Sequence, residues 1–365
     1  PMASMRFSCT QVSPNSLVYG TEDDLRKGLS SIETYAKPER VFVESNCSVS
    51  LVGDDVQGIA DQMDLPWPVY AMDSGGMKGS FEAGYSAASL RIEKEMKTKE
   101  KIPASVNVLG LSTVHMKGRE DAEEIRRLLS LCGIRVISMP GGGSNWEDIM
   151  AAPSASLNIV VRDELGLSLA KQMEQDFGTP YMSCGLPYGT DGTMAWLSEI
   201  IEKLGAGELT RASHEAAKLK EFLLRKGNNL ESLWGPLWFD DVLISAPPSE
   251  ALGIAETIRS EWIDTARLVI HAQCATKRST PAADAIRVVM KNEKEIAKDY
   301  EDWQGGLVLS SSHETHLLRR MGRSFTGFHI ALPSHDEVHF SDLPQCGLRG
   351  AGYLYEQLWN AKLRK

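Results

Sequence analysis

The stretch Val41-Phe42-Val43-Glu44-Ser45-Asn46-Cys47-Ser48-Val49-Ser50-Leu51-Val52-Gly53-Asp54-Asp55 decides the fold. Its first three residues read as a short buried strand. Before it, Glu22 to Ala36 carries Leu25, Leu29 and Ile32 on one helical face. Lys37-Pro38 ends that helix, because the residue before a proline is pushed out of the α region. After Cys47 come a turn and a helix with Val56, Ile59, Ala60 and Met63; Pro66 stops it and Val69 to Met72 is the next strand. This is a βαβ unit. Right-handed crossovers make its strands parallel.

The same rhythm recurs. Val106 to Gly110 reads as a strand, Glu120 to Leu131 as a helix closed by Gly133, and Ile134 to Ile137 as a strand. Leu157 to Val161 follows, then a helix with Leu165, Leu169, Met173 and Phe177 at steps of four, a spacing only a helical face explains. Gly178 closes it and Pro180-Tyr181-Met182 opens a strand. A third round runs from the strand Asp241–Ile244 through a helix at Glu250–Trp262 to the strand Leu268–Ile270. It continues with a helix at Ala283–Asp299, strands at Leu307–Leu309 and Phe328–Ala331, and a closing helix from Gly352 to Leu363. Three successive α/β sheets are expected, with seams at Lys97–Pro103 and Gly227–Leu237. The charged helix Leu209–Lys226 would act as a spacer, giving domains at 1–102, 103–230 and 231–365.

Composition narrows the function. The 365 residues are 42% hydrophobic and 24% charged, an ordinary globular balance. No window approaches the roughly 20 apolar residues of a membrane-spanning helix. A net charge of −10 argues against nucleic acid as a partner, since a phosphate backbone rewards a basic surface. Cys9, Cys47, Cys132, Cys184, Cys274 and Cys346 are scattered without a CxxC pair, unlike a disulfide framework. Pro1 to Arg6 shows no apolar signal region, so a reducing cytoplasm is the expected compartment.

In parallel α/β sheets, ligands sit beyond the carboxyl ends of strands. Four places qualify. Cys47 follows a strand and precedes a helix, where backbone N–H groups and the helix dipole favour a thiolate that could act as nucleophile or metal ligand. Asp54 or Asp55 reads as a helix cap without a catalytic role. Ser74-Gly75-Gly76-Met77-Lys78-Gly79-Ser80 could cradle an anion or let a cofactor approach the backbone. It lacks the order of a P-loop, so ATP hydrolysis by this chain is not expected. Pro140-Gly141-Gly142-Gly143-Ser144 lacks the dinucleotide spacing. Last, His313, His316, His329, His335 and His339 crowd the C-terminal third without an H-E-x-x-H pattern, and read mainly as surface or core histidines.

With these residues in view, the chain resembles the nitrogenase component 1 family, and its β-type subunit most closely. Ser13–Asp55 carries the resemblance: Val18-Tyr19-Gly20-Thr21-Glu22, Leu25, Gly28-Leu29, Tyr35-Ala36-Lys37-Pro38, Val41-Phe42-Val43, Cys47 and Val52-Gly53-Asp54-Asp55. Thr21 stands where the family pattern has a second glycine. Met77-Lys78-Gly79-Ser80 with Gly84-Tyr85, Pro180-Tyr181 to Leu197, and Ser310–Arg320 with Gly350–Asn360 extend it over nearly the whole chain. The fold so implied is three doubly wound parallel-sheet (Rossmann-like) domains, N-terminally short.

The resemblance implies that Cys47 is the metal ligand of an iron–sulfur cluster at a subunit interface, with Ser48, Gly76, Gly79 and Ser80 shaping its surroundings. One thiolate cannot hold a cluster that takes four ligands, so others must join it. The family's two further cluster cysteines lie upstream, one in an H-G-P-x-G-C segment, and the sequence begins after that point; either it is part of a longer chain or its cluster site is incomplete. Where the α-type subunit has its cofactor cysteine, Arg162 stands in this chain, so no molybdenum cofactor is expected through that ligand; Cys184 is an unmotivated substitute. The implied partners are a second copy or an α-like paralogue, and an ATP-dependent iron–sulfur reductase. The implied function is a nitrogenase-like oxidoreductase subunit. A scaffold for assembling a metal cofactor is the alternative, and a relative without a cluster that binds a small ligand is the third reading.

Overall fold

The computed structural model describes residues 7–364 except 74, 277, 289–296, 299, 302 and 304. The chain divides into two compact units, residues 1–91 and 92–365.

The first unit begins with α1 (Pro14–Tyr19) and α2 (Glu22–Tyr35). Then follow β1 (Val41–Glu44), α3 (Cys47–Val52), α4 (Val56–Asp61), β2 (Val69–Met72) and α5 (Phe81–Glu93). β1 and β2 pair in parallel, Val41 beside Val69. Leu25 and Leu29 of α2 pack with Ile59, Ala60, Trp67 and Val69 to form a small core. The expected single helix after Cys47 is two. Cys47 itself opens α3, and Gly53, in the left-handed region at φ 80°, ends it. Of the following pair, Asp55 caps α4 and Asp54 braces Thr21, the residue ahead of α2. Asp55 accepts the Gly58 N–H at 2.9 Å, and Asp54 accepts the N–H and hydroxyl of Thr21 at the start of α2.

The second unit holds two sheets. The first contains β3 (Ile102–Leu109), β4 (Arg135–Ser138), β5 (Ala155–Val160) and β6 (Tyr181–Ser183), all parallel, in the order β4-β3-β5-β6. Its helices are α6 (Gly118–Leu131), α7 (Trp146–Ala151), α8 (Asp163–Phe177) and α9 (Thr190–Leu204). Leu165, Leu169 and Met173 are buried along one face of α8, as their spacing requires. α10 (Thr210–Trp234) is longer than expected, and eight residues of the anticipated seam at 227–237 lie within it.

The second sheet contains β7 (Trp238–Ala246), β8 (Asp264–Ala272), β9 (Ala285–Val288), β10 (Leu307–Ser310) and β11 (Thr326–His329), again parallel, in the order β11-β10-β7-β8-β9. α11 (Pro248–Thr257), α12 (Ser312–Arg320) and α13 (Gly347–Leu363) complete the fold. The helix expected at Ala283–Asp299 is overturned at its start: residues 285–288 form the edge strand β9. Asp284 fixes that strand by accepting the Leu268 N–H and pairing with Arg259, and β-branched Ile286 and Val288 continue along β8. The rest of the expected helix lies mostly outside the described residues.

One apolar core, including Val106, Leu129, Phe239 and Leu354, runs across both sheets of this unit. Carboxylates cap helices across the same interface. Glu261 accepts the N–H groups of Thr190, Asp191 and Gly192 at the start of α9. Asp121 of α6 accepts those of Gln345 and Cys346 ahead of α13. Free N–H groups at a helix start favour an anion there. Among the described residues no helix is long and apolar enough to cross a membrane.

Candidate functional site

The first site lies at the carboxyl ends of β1 and β2. The Asn46 side chain accepts the Val49 N–H at 3.0 Å and so caps α3, which sets Cys47 as its first residue. The Cys47 thiol is half-buried. Gly76, in the turn after β2, aims its N–H at Cys47 Sγ over 3.1 Å. That approach needs small residues. A Cβ on buried Gly75 would stand 2.7 Å from Ser50 Oγ and 3.4 Å from Cys47 Cα, and one on Gly76 would lie 3.7 Å from the sulfur. α3 has only six residues, so its dipole contributes less than expected; the group that reaches the sulfur is the Gly76 N–H.

A polar brace that the sequence did not reveal holds the two turns together. Ser50 Oγ donates to Asp73 Oδ1 at 2.6 Å, and Lys78 Nζ lies 3.0 Å from Asp73 Oδ2. The Ser50 hydrogen bond, followed by Lys78, holds the Asp73 carboxyl below the usual carboxylate range. Its signal was an Asp at the strand end followed by paired glycines. Of the other expected residues, Ser48 is exposed beside Cys47. Gly79 and Ser80 belong to the start of α5: Ser80 accepts the Gly84 N–H, and a Cβ on Gly79 would meet Ala83 at 2.9 Å.

The second place is the switch point between β3 and β5, where the strand order of the first large sheet reverses and a ligand crevice is the rule. Here it is filled by protein. Arg162, directly after β5, is 0% exposed. Its guanidinium donates to Glu250 Oε1 through Nη2 at 2.6 Å and Nε at 3.0 Å, and to the Gly110 carbonyl at 3.3 Å. Asp121 Oδ2 lies 4.0 Å away. Gly110, at φ 89°, admits the Arg162 backbone so closely that a Cβ would lie 2.6 Å from its carbonyl oxygen. Burial raises Glu250, against Arg162, and raises Asp121 to about 6. Cys184 donates weakly to the Val160 carbonyl, and burial pushes its thiol up to about 12.

The family model described as "Nitrogenase component 1 type Oxidoreductase" matches residues 2–363. The chain belongs to this family. It is 23% identical to one subunit of the light-independent protochlorophyllide reductase of Chloroherpeton thalassium, over 97% of this chain and 69% of that protein. It is 30% identical to the nitrogenase iron-molybdenum cofactor biosynthesis protein NifE of Clostridium pasteurianum, over 61% of this chain and 47% of that protein. The solved structure titled "Nitrogenase Cp1 at pH 6.5" shares the fold at a TM-score of 0.75 and 17% identity, covering 97% of this chain and 82% of that one.

The donor chemistry at Cys47 suits an iron–sulfur cluster. A half-exposed thiol with a backbone N–H on its sulfur is the environment that stabilises a metal-bound thiolate and tunes its potential. Among the described residues, Cys47 stands outside any group of three or more metal-ligating side chains, so a four-ligand cluster bound there draws its other ligands from beyond this set.

Proposed function

We propose that the chain is a subunit of a nitrogenase-like oxidoreductase, and that Cys47 contributes one thiolate to an iron–sulfur cluster shared with another chain. The half-exposed Cys47 sulfur facing the Gly76 N–H carries the reading. When bound, such a cluster supplies a one-electron relay. The protein's own residues do the rest. Asn46 fixes the cysteine, Gly75 and Gly76 bring backbone close to the sulfur, and the Ser50–Asp73–Lys78 brace holds both turns in register.

The partner is either a second copy or an α-like paralogue. Val18, Tyr19, Leu51 and Met77 are large apolar side chains left exposed in the same unit as Cys47. Apolar surface of this kind supports a covering subunit. Electrons would come from a separate ATP-dependent iron–sulfur reductase, as the family resemblance implies.

The scaffold reading has its own support in the 30% identity to NifE over 61% of this chain. The two are separated by mixing anaerobically purified protein with its reductase and ATP. Sustained turnover of a reducible substrate supports the oxidoreductase. Transfer of a metal-cluster precursor to a second protein without turnover supports the scaffold.

A further inference from the structure

A second cluster of donor side chains stands at the end of β11, in the histidine-rich segment that the cysteine site leaves unused. One donor atom each of His329, Glu337 and His339 lies within 4.8 Å of the other two. Glu337 Oε2 is 4.0 Å from His329 Nδ1 and 3.8 Å from His339 Nε2. Ser334 Oγ stands between the rings, 2.7 Å from His329 Nδ1 and 3.2 Å from His339 Nε2.

The surroundings orient these donors. His329 is buried. Its far nitrogen, Nε2, lies 3.4 Å from Asp336 Oδ1 and 3.4 Å from Thr315 Oγ1. Asp336 is itself held by Arg319. In the tautomer with its proton on Nε2, beside Asp336 and Thr315, the Nδ1 lone pair is turned to Ser334 and Glu337. Metal-bound histidines carry this carboxylate–imidazole arrangement behind the ligand. Glu337 is fixed too, since its Oε2 accepts the His329 backbone N–H at 2.9 Å. A hydroxyl bridging two rings accounts for Ser334, and the His329 backbone N–H accounts for the place of Glu337; together they leave one carboxylate oxygen about 4 Å from both ring nitrogens, as a metal-binding set requires.

We propose that His329, Glu337 and His339 bind one divalent transition-metal ion of the zinc class, with Ser334 or water in the fourth position. Two imidazoles and one carboxylate form a borderline donor set suited to Zn²⁺ or Co²⁺. Metal bonds of about 2.0–2.1 Å require the three donors to close in by roughly half an ångström each. The ion ties the segment 334–339 back onto β11.

The test uses the full chain carrying Cys47→Ser, so that the outcome is independent of the cluster. Co²⁺ is titrated and followed by its tetrahedral visible bands, then displaced by Zn²⁺. One-to-one binding is expected, without a sulfur-to-cobalt charge-transfer band. His339→Gln and Glu337→Gln each weaken it by at least about tenfold, Asp336→Asn does so by about 10–100-fold, and His335→Gln leaves it unchanged. Absence of saturable one-to-one binding overturns the proposal, as does wild-type affinity in the folded His339→Gln/Glu337→Gln double variant.

Discussion

Replacing Arg162 by Met tests whether the switch point of the middle sheet is a structural plug. The guanidinium is fully buried and donates twice to Glu250 Oε1 and once to the Gly110 carbonyl. Its removal leaves the Glu250 carboxylate buried without its cation. Breaking a buried pair from one side costs about 3–5 kcal/mol. With a urea m value of about 3 kcal/mol/M, the unfolding midpoint falls by roughly 1–1.7 M. Tryptophan fluorescence of the unit 92–365 reports the transition, since Trp196, Trp262 and Trp359 are in its core. The double variant Arg162→Met/Glu250→Met removes both charges and should recover most of the loss, because an apolar pair of similar volume is often neutral or better. Asp121 keeps its two backbone N–H donors in either case. A loss below about 1 kcal/mol for Arg162→Met, or a double variant no better than the single one, refutes the reasoning.

Other consequences are equally open to measurement. Asp54→Ala removes the acceptor for both Thr21 groups and should destabilise the first unit by about 1.5–3 kcal/mol in urea melts. Asn46→Ala uncaps α3 at a cost of about 1 kcal/mol, and hydrogen exchange should rise at Val49 before the rest of the unit. Burial, followed by Asp176, raises the Glu93 carboxyl to about 7. A raised carboxyl stabilises the fold at pH values below its unfolded pKa, and that contribution is lost as pH rises through about 7. Glu93→Gln should therefore flatten the decline of thermal stability between pH 5 and 8; an unchanged slope counts against this assignment.

Much of the fold was legible because its signals are local. The four-residue steps of Leu165, Leu169 and Met173 define α8, and Pro38 and Pro66 end their segments just where β-branched runs begin. The edge strand β9 was not, because Ala285 to Val288 reads as strand only once β8 lies beside it and Asp284 reaches Leu268. Cys47 was visible from its place after a strand. The Gly76 N–H on its sulfur, and the Ser50–Asp73 hydrogen bond, join residues more than twenty positions apart that the parallel pairing of β1 and β2 brings together. His329, Glu337 and His339 lacked a helical metal-binding spacing, since they meet across a strand end and a loop.

The most direct test of the central claim is iron and acid-labile sulfide in the full protein purified anaerobically with its partner chain, with and without Cys47→Ser. Iron and sulfide should be present in the wild type, and both should fall sharply in the variant while the fold and the partner are retained. Equal iron and sulfide in the two, or none in either, contradicts the assignment of Cys47 as a cluster ligand.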